Sequence, residues 1–236
     1  MTSHKEQPIG DDPVVRVRDL EFTYPKDPRP VLKIPSFDIK RGEHLFMHGP
    51  SGSGKTTFLS LMVGLLTPQQ GSIEILGTPL TSLKSHERDF FRGSHMGYIF
   101  QMFNLIPYLN VRDNIQLPVQ MNPVRARRLT TGLREAAEQL AAGLQIENLL
   151  EKPVTSLSVG QQQRVAAARA LIGSPELVIA DEPTSALDFD RRQAFLDTLF
   201  KAADKNGSTI LFVSHDHSLI PLFTRSVPLK ELNVVS

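Results

Sequence analysis

The chain has 236 residues, 40% of them apolar and 22% charged, and it contains no cysteine. That composition supports a packed core and excludes disorder as the dominant state, while the missing thiols exclude disulfide frameworks, thiolate zinc sites and cysteine nucleophiles. Lys plus Arg number 26 against 25 Asp plus Glu, for a formal net charge of +1. A protein that coats nucleic-acid phosphates carries a larger basic excess, so no nucleic-acid partner is expected.

At roughly 150 residues per domain the length suits one large domain, or one domain with a lobe inserted in it. Residues 1–12 are polar and lack the apolar stretch of a signal peptide; they read as a flexible tail before a domain over 13–236. No apolar run approaches the ~18 residues of a membrane helix.

In chain order, residues 14–24 place Val15, Val17, Leu20, Phe22 and Tyr24 at period two with one slip, which predicts an edge strand. Pro25 to Pro30 predicts a turn. Residues 45–48 predict a short buried strand, followed by a glycine-rich loop and a helix from about Lys55 with Phe58, Leu59, Met62 and Leu66 on one face. Residues 73–76, 98–100, 177–180 and 209–213 predict further short strands. Alternating strands and helices of this kind make an α/β fold with a largely parallel sheet.

The interval 87–171 differs, with little strand signal after Gln101. Leu129, Leu133, Ala136 and Leu140 form a helical stripe, flanked by Arg125, Arg127, Arg128 and Arg134, which read as a solvated face. This predicts a helical lobe inserted in the α/β core. A last helix over 190–205 turns Phe195, Leu199 and Ala202 inward and stops at Gly207.

Three segments carry chemistry. Gly49-Pro50-Ser51-Gly52-Ser53-Gly54-Lys55-Thr56, followed by Thr57, fits G-x-x-x-x-G-K-[ST] between a strand and a helix. Glycines let backbone N–H groups wrap a phosphate, and the helix start adds its positive dipole end. Lys55 would reach the β- and γ-phosphates and the Thr56 hydroxyl would hold Mg²⁺. The apolar run 177–180 ends in Asp181 and Glu182, at the strand end where ligands of parallel sheets bind. Asp181 suits Mg²⁺ and Glu182 suits a general base toward the attacking water. A third buried strand ends in Ser214-His215-Asp216-His217, where His215 can reach a γ-phosphate; His217 has no such claim.

Leu157-Ser158-Val159-Gly160-Gln161-Gln162-Gln163-Arg164, upstream of the acidic strand, resembles the Leu-Ser-Gly-Gly-Gln signature of ABC nucleotide-binding domains. The resemblance covers nearly the whole chain and all its elements come in the family's order. Tyr24 matches the A-loop aromatic, residues 49–56 the Walker A loop, Gln101 the Q-loop, Asp181 and Glu182 the end of Walker B, Ser185-Ala186-Leu187-Asp188 the D-loop, and His215 the switch histidine. It implies a P-loop NTPase core with a largely parallel sheet, a small antiparallel β edge and an inserted helical lobe. It implies an ATPase that binds ATP and Mg²⁺, the metal held by Thr56, Gln101 and Asp181. It also implies a head-to-tail homodimer in which Ser158, Gly160 and Gln161 of one copy complete the other's ATP site. A separate integral membrane permease would hold the pair on the cytoplasmic face of the cell membrane.

Tyr24 would stack on adenine, unless it is a core tyrosine alternating with Phe22. Gln101 would sense Mg²⁺ and the attacking water. The apolar residues Met102, Phe103, Leu105, Ile106 and Tyr108 are either core or part of a groove for the permease's coupling helix. Val159 replaces the signature's first glycine; a β-branched residue disfavours positive φ, so an ordinary backbone and simple tolerance are expected there. Residues 98–101, 104–107 and 113–118 look most like the lipoprotein-release and macrolide-export ATPases, with importers of the polar amino-acid type as the alternative and a non-transport ABC ATPase of DNA repair or translation as a more distant one. The short stretch after His215 leaves no room for the regulatory domain some importers append.

Overall fold

The structure, a computed structural model, describes residues 13–25, 27–185 and 189–235. The 1–12 tail and the D-loop residue Asp188 lie outside the described residues.

The strands are β1 (Pro13–Phe22), β2 (Leu32–Lys40), β3 (His44–His48), β4 (Gln70–Ile75), β5 (Thr78–Pro79), β6 (Met96–Ile99), β7 (Leu177–Asp181), β8 (Thr209–Ser214) and β9 (Arg225–Pro228). The helices are α1 (Lys55–Met62), α2 (Ser85–His95), α3 (Val111–Met121), α4 (Pro123–Arg127), α5 (Leu133–Gly143), α6 (Val159–Leu171), α7 (Phe189–Asn206) and α8 (Leu229–Leu232). They build an antiparallel sheet of order β2-β1-β4-β5 and a parallel sheet of order β6-β7-β8-β3-β9.

The parallel sheet sits between two cores, which explains its unbroken apolar strands. Leu45, Met47, Leu177, Ile179, Leu211 and Val213 face a core shared with α1 and the antiparallel sheet. Phe46, Val178, Ala180, Ile210 and Phe212 face the other, shared with α3, α5, α6 and α7. With both faces covered, period two disappears from the sequence and a continuous apolar run remains.

The edge-strand expectation for 14–24 is corrected: β1 pairs with β2 on one side and β4 on the other. The edges are β2 and β5, and β2 carries Pro35, a residue that donates nothing to a ladder and is tolerated at an edge. The slip in the β1 pattern falls at Asp19, whose φ of 46° accompanies a register shift against β4 between Arg18 and Glu21. An inserted residue of this kind flips the alternation by one place.

Within 87–171, β6 belongs to the parallel sheet and α3 to α6 follow it. The expected stripe is rotated by one residue. Ala137 and Ala141 are buried, Leu129 lies before α5, and Leu133 and Leu140 flank the buried line. Likewise Leu66 lies beyond the end of α1. The solvated-arginine expectation fails at two positions. Arg125 is 2% exposed, and Arg128 forks onto Glu176, with its Nη1 2.9 Å from Oε2 and its Nη2 2.8 Å from Oε1. Gly97 in β6 is the close approach: a Cβ there would lie 2.3 Å from the carbonyl oxygen of Ala170 in α6.

Candidate nucleotide-phosphate site

β3 ends at His48, and residues 49–54 then form the loop that opens α1 at Lys55. Gly54 takes φ +96° as the residue before the helix, a conformation that favours glycine. Lys55 folds back over the loop, its Nζ donating to the carbonyls of Gly49 at 2.6 Å and Pro50 at 3.0 Å. That places a cation over a ring of backbone groups with helix N–H groups below, an arrangement suited to a phosphate chain.

The parallel order brings the other candidates to the same end of the sheet. β8 lies between β7 and β3, and Asp181 is level with Val213. Burial, then the adjacent Glu182 carboxylate, pushes the Asp181 carboxyl above its ordinary value, with Tyr98 and Lys55 pulling partly back. A carboxylate destabilised in that way gains most from a nearby cation. Among the described residues no group of three or more His, Cys, Asp and Glu could hold a metal. Asp181 and the Thr56 hydroxyl are oxygen donors of the kind Mg²⁺ takes alongside waters and phosphate oxygens.

Glu182 follows β7 with φ 45°, its N–H donating to Val213 O at 2.8 Å across to β8. This left-handed turn aims the carboxylate back toward β8, where Oε2 lies 2.8 Å from His215 Nδ1. The acid and the histidine, 33 residues apart in sequence, are thus one hydrogen-bonded pair.

Tyr24 is not the core strand residue of the alternative reading. It follows β1 and is 40% exposed; its ring stands edge-on to Phe22, and its hydroxyl is 3.1 Å from Thr57 Oγ1. Thr57 itself is buried, a brace for Tyr24. Gln101 is exposed, two residues past β6, whose Ile99 is level with Ala180 of β7. Ser158 caps α6: its hydroxyl accepts from the Gln161 N–H at 3.4 Å, and the Gln161 side chain accepts from the Ser158 N–H at 3.0 Å, a capping box. Gly160 sits in that first turn, and Val159 is its first helical residue, 47% exposed, with an ordinary helical backbone as expected. The 102–108 stretch divides: Phe103 is buried, while Met102 and Tyr108 are 81% and 84% exposed.

Sequence reading missed His48. It stands one residue before the loop with its ring edge-on to His217 at 4.5 Å; burial, then His217, pushes its pKa below the ordinary histidine value. Its signal was a polar residue ending an otherwise apolar strand.

The family described as ABC transporter matches residues 32–185. The ABC transporter ATP-binding protein YvcR of Bacillus subtilis (strain 168) is 39% identical over 193 residues, covering 82% of this chain and 73% of its own. The lipoprotein-releasing system ATP-binding protein LolD 2 of Rhodospirillum rubrum is 36% identical over 225 residues, covering 94% of this chain and 96% of its own. Among solved structures, the dimeric bacterial ABC transporter cassette MJ0796 matches with a TM-score of 0.79 at 32% identity, over 91% of this chain and 93% of that one. The same cassette in a post-hydrolysis dimer with ADP and Pi matches with a TM-score of 0.78.

Proposed function

Because this chain belongs to the ABC transporter family, as an ATP-binding subunit that hydrolyses ATP, we propose that it works as a homodimer closing on two ATP molecules and driving a separate membrane permease. The cargo we assign is a lipoprotein, peptide or other amphiphile that the permease extracts or exports. The observation that carries the hydrolytic half is the Glu182–His215 pair at 2.8 Å, beside Asp181 and across β8 from the phosphate loop. Support for the cargo class comes from the near full-length match to LolD 2 and from the likeness of residues 98–118 to lipoprotein-release and macrolide-export ATPases.

In this reading Tyr24 stacks on adenine, the backbone of residues 49–54 wraps the phosphates, and Lys55 pairs with their β- and γ-oxygens. Thr56, Asp181 and Gln101 would hold Mg²⁺, which would supply neutralisation of charge on those oxygens. Glu182 accepts the proton of the attacking water as it adds to the γ-phosphorus. His215, with Nδ1 on Glu182, presents Nε2 to the γ-phosphate and holds the carboxylate in place. Ser158 and the Gly160 N–H, at a helix N-terminus, close the partner copy's site. Among the described residues no helix is long and apolar enough to cross a membrane; in this reading the permease holds the pair at the cytoplasmic face of the cell membrane. The exposed Phe100, which lines a cavity of about 300 Å³, and the exposed Met102 and Tyr108 suit that contact, since apolar and aromatic anchors dominate such interfaces.

The test is tagged Glu182→Gln. Its ATPase turnover should fall at least a hundredfold, on the scale of losing a general base, with nucleotide affinity kept. Captured with ATP from detergent-solubilised native membranes, it should bring down a four-helix permease with a large extracytoplasmic domain. A binding-protein-dependent importer permease would overturn the cargo class, and wild-type turnover would overturn the role of Glu182.

A further inference from the structure

His215 is loosely held by its own contacts but tightly held by its neighbours. Its side chain is 66% exposed and meets Glu182. Asp216, the next residue, forms an ion pair with Arg192 in the first turn of α7, and these two side chains are only 21% and 26% exposed. The other oxygen of the same carboxylate, Oδ1, accepts from the Ser218 N–H at 3.1 Å and from its hydroxyl at 2.6 Å. The Asp216 N–H donates to Ser214 Oγ at 3.1 Å, which closes a bonded turn around His215. On the far side, His217 leans on His48, the residue before the phosphate loop.

We propose that Arg192 and Asp216 are positioning residues for hydrolysis: their ion pair fixes the turn that carries His215, and so sets where its ring stands relative to Glu182 and the γ-phosphate. The proposal rests on the role given to His215 above and extends it to two residues that act through it. An ordinary surface ion pair contributes little and could be lost without consequence. This one differs in three respects. It is partly buried, it joins two elements distant in sequence at the residue beside His215, and it uses a carboxylate whose two oxygens are both engaged. Arg192 Nε is buried without a hydrogen-bond partner. The guanidinium is therefore oriented for Asp216 at the expense of one of its own donors. Hydrogen bonds from Ser218, opposed by partial burial and joined by Arg192, hold the Asp216 carboxyl below its ordinary value, so the pair stays charged throughout the neutral range.

The experiment measures steady-state ATPase kinetics, nucleotide affinity and thermal midpoint of the full chain. It compares Arg192→Ala, Asp216→Asn, their combination, and the charge swap Arg192→Asp with Asp216→Arg. His215→Ala serves as the reference. Each single variant should lose roughly tenfold to a hundredfold in kcat, the scale of a slightly misplaced catalytic group, with KM within about twofold. The combination should be no worse than either single, and the swap should recover most of the loss. Wild-type kcat in both singles, additive losses, or losses that track a falling thermal midpoint would overturn the proposal. Asp216→Asn keeps the side chain's shape, so it reads the charge pair even where Arg192→Ala unfolds. If His215→Ala itself turns over normally, the role of His215 fails. An inactive His215→Ala beside normal Arg192 and Asp216 variants removes the positioning proposal alone.

Discussion

Replacing Arg125 by alanine should destabilise the fold by roughly 3 kcal/mol, and the structure shows where that loss arises. The side chain, 2% exposed in α4, donates from Nε to Gly93 O at 2.8 Å. Nη1 donates to Ile172 O at 2.9 Å and, at 3.4 Å, to Ala170 O, and Nη2 donates to Met96 O. Those carbonyls belong to α2, to the start of β6, and to α6 and its C-cap, so one guanidinium ties the helical lobe to the parallel sheet. A buried acceptor left without a donor costs about 1–3 kcal/mol. Two effects reduce the sum. Water from the neighbouring cavity of about 300 Å³, which Arg125 lines, can reach part of the site. The cation is also itself strained, since burial and then Arg128 pull its pKa down to about 10. Counting about two carbonyls unrecovered, plus the lost packing of the side-chain stem, leaves roughly 3 kcal/mol. For a domain of this size each kcal/mol moves Tm by about 2–4 °C, so thermal denaturation should show a fall of roughly 6–12 °C. Arg125→Lys should recover under half of it, because one ammonium cannot span the fork's directions. A Tm of Arg125→Ala within about 2 °C of the parent would refute the cross-link argument.

Stacking on adenine predicts that Tyr24→Ala weakens ATP binding roughly tenfold or more by calorimetry, while Tyr24→Phe, which loses the Thr57 contact but keeps the ring, stays within about threefold; equal losses would refute the stacking role. Burial raises the Glu176 carboxyl, but bonding to His95, then the His95 and Arg128 charges, bring it below its ordinary value. The native state therefore binds fewer protons there than the unfolded chain, so this stabilisation is present above the ordinary Glu pKa of about 4.3 and lost as pH falls through the lower native value. Glu176→Gln should be less stable than the parent at pH 7, and the gap in Tm should close toward pH 3; a gap that widens on acidification is the refuting result. Val159→Gly should leave kcat within about twofold and cost up to ~1 kcal/mol of stability, the usual helix cost of glycine. A tenfold change in kcat would show that the side chain matters to the reaction.

Much of the fold was legible because its strands are buried on both faces, and runs such as 177–180 and 209–213 can hardly lie anywhere else. What escaped was partnership. β2 carries Leu32, Ile34, Phe37 and Ile39, but Pro35-Ser36 breaks its alternation, so the strand went unread and β1 was assigned the edge that β2 occupies. The arginines near 125 escaped for a related reason. Composition marks a guanidinium as a surface group, and only the carbonyls that three other elements bring to Arg125 make burial tolerable. Hydrogen bonds supplied from 29 to 47 residues away leave no local pattern.

The residues gathered at one end of the parallel sheet were legible for a geometric reason. A phosphate cradle must be built from contiguous backbone, so its glycine spacing is written in one stretch. Asp181 and His215 stand where short apolar runs stop, and in a parallel sheet all such stops lie at one end. Position in the chain therefore predicts position in space for each of them. The supports have no such rule. His48 of β3 meets His217, and Arg192 of α7 meets Asp216, both in the turn after β8. Nothing in the local sequence of any one of them names the others. Residues whose work is to hold a catalytic group in register are thus the ones a motif leaves out, and they become visible only when the strands are set side by side.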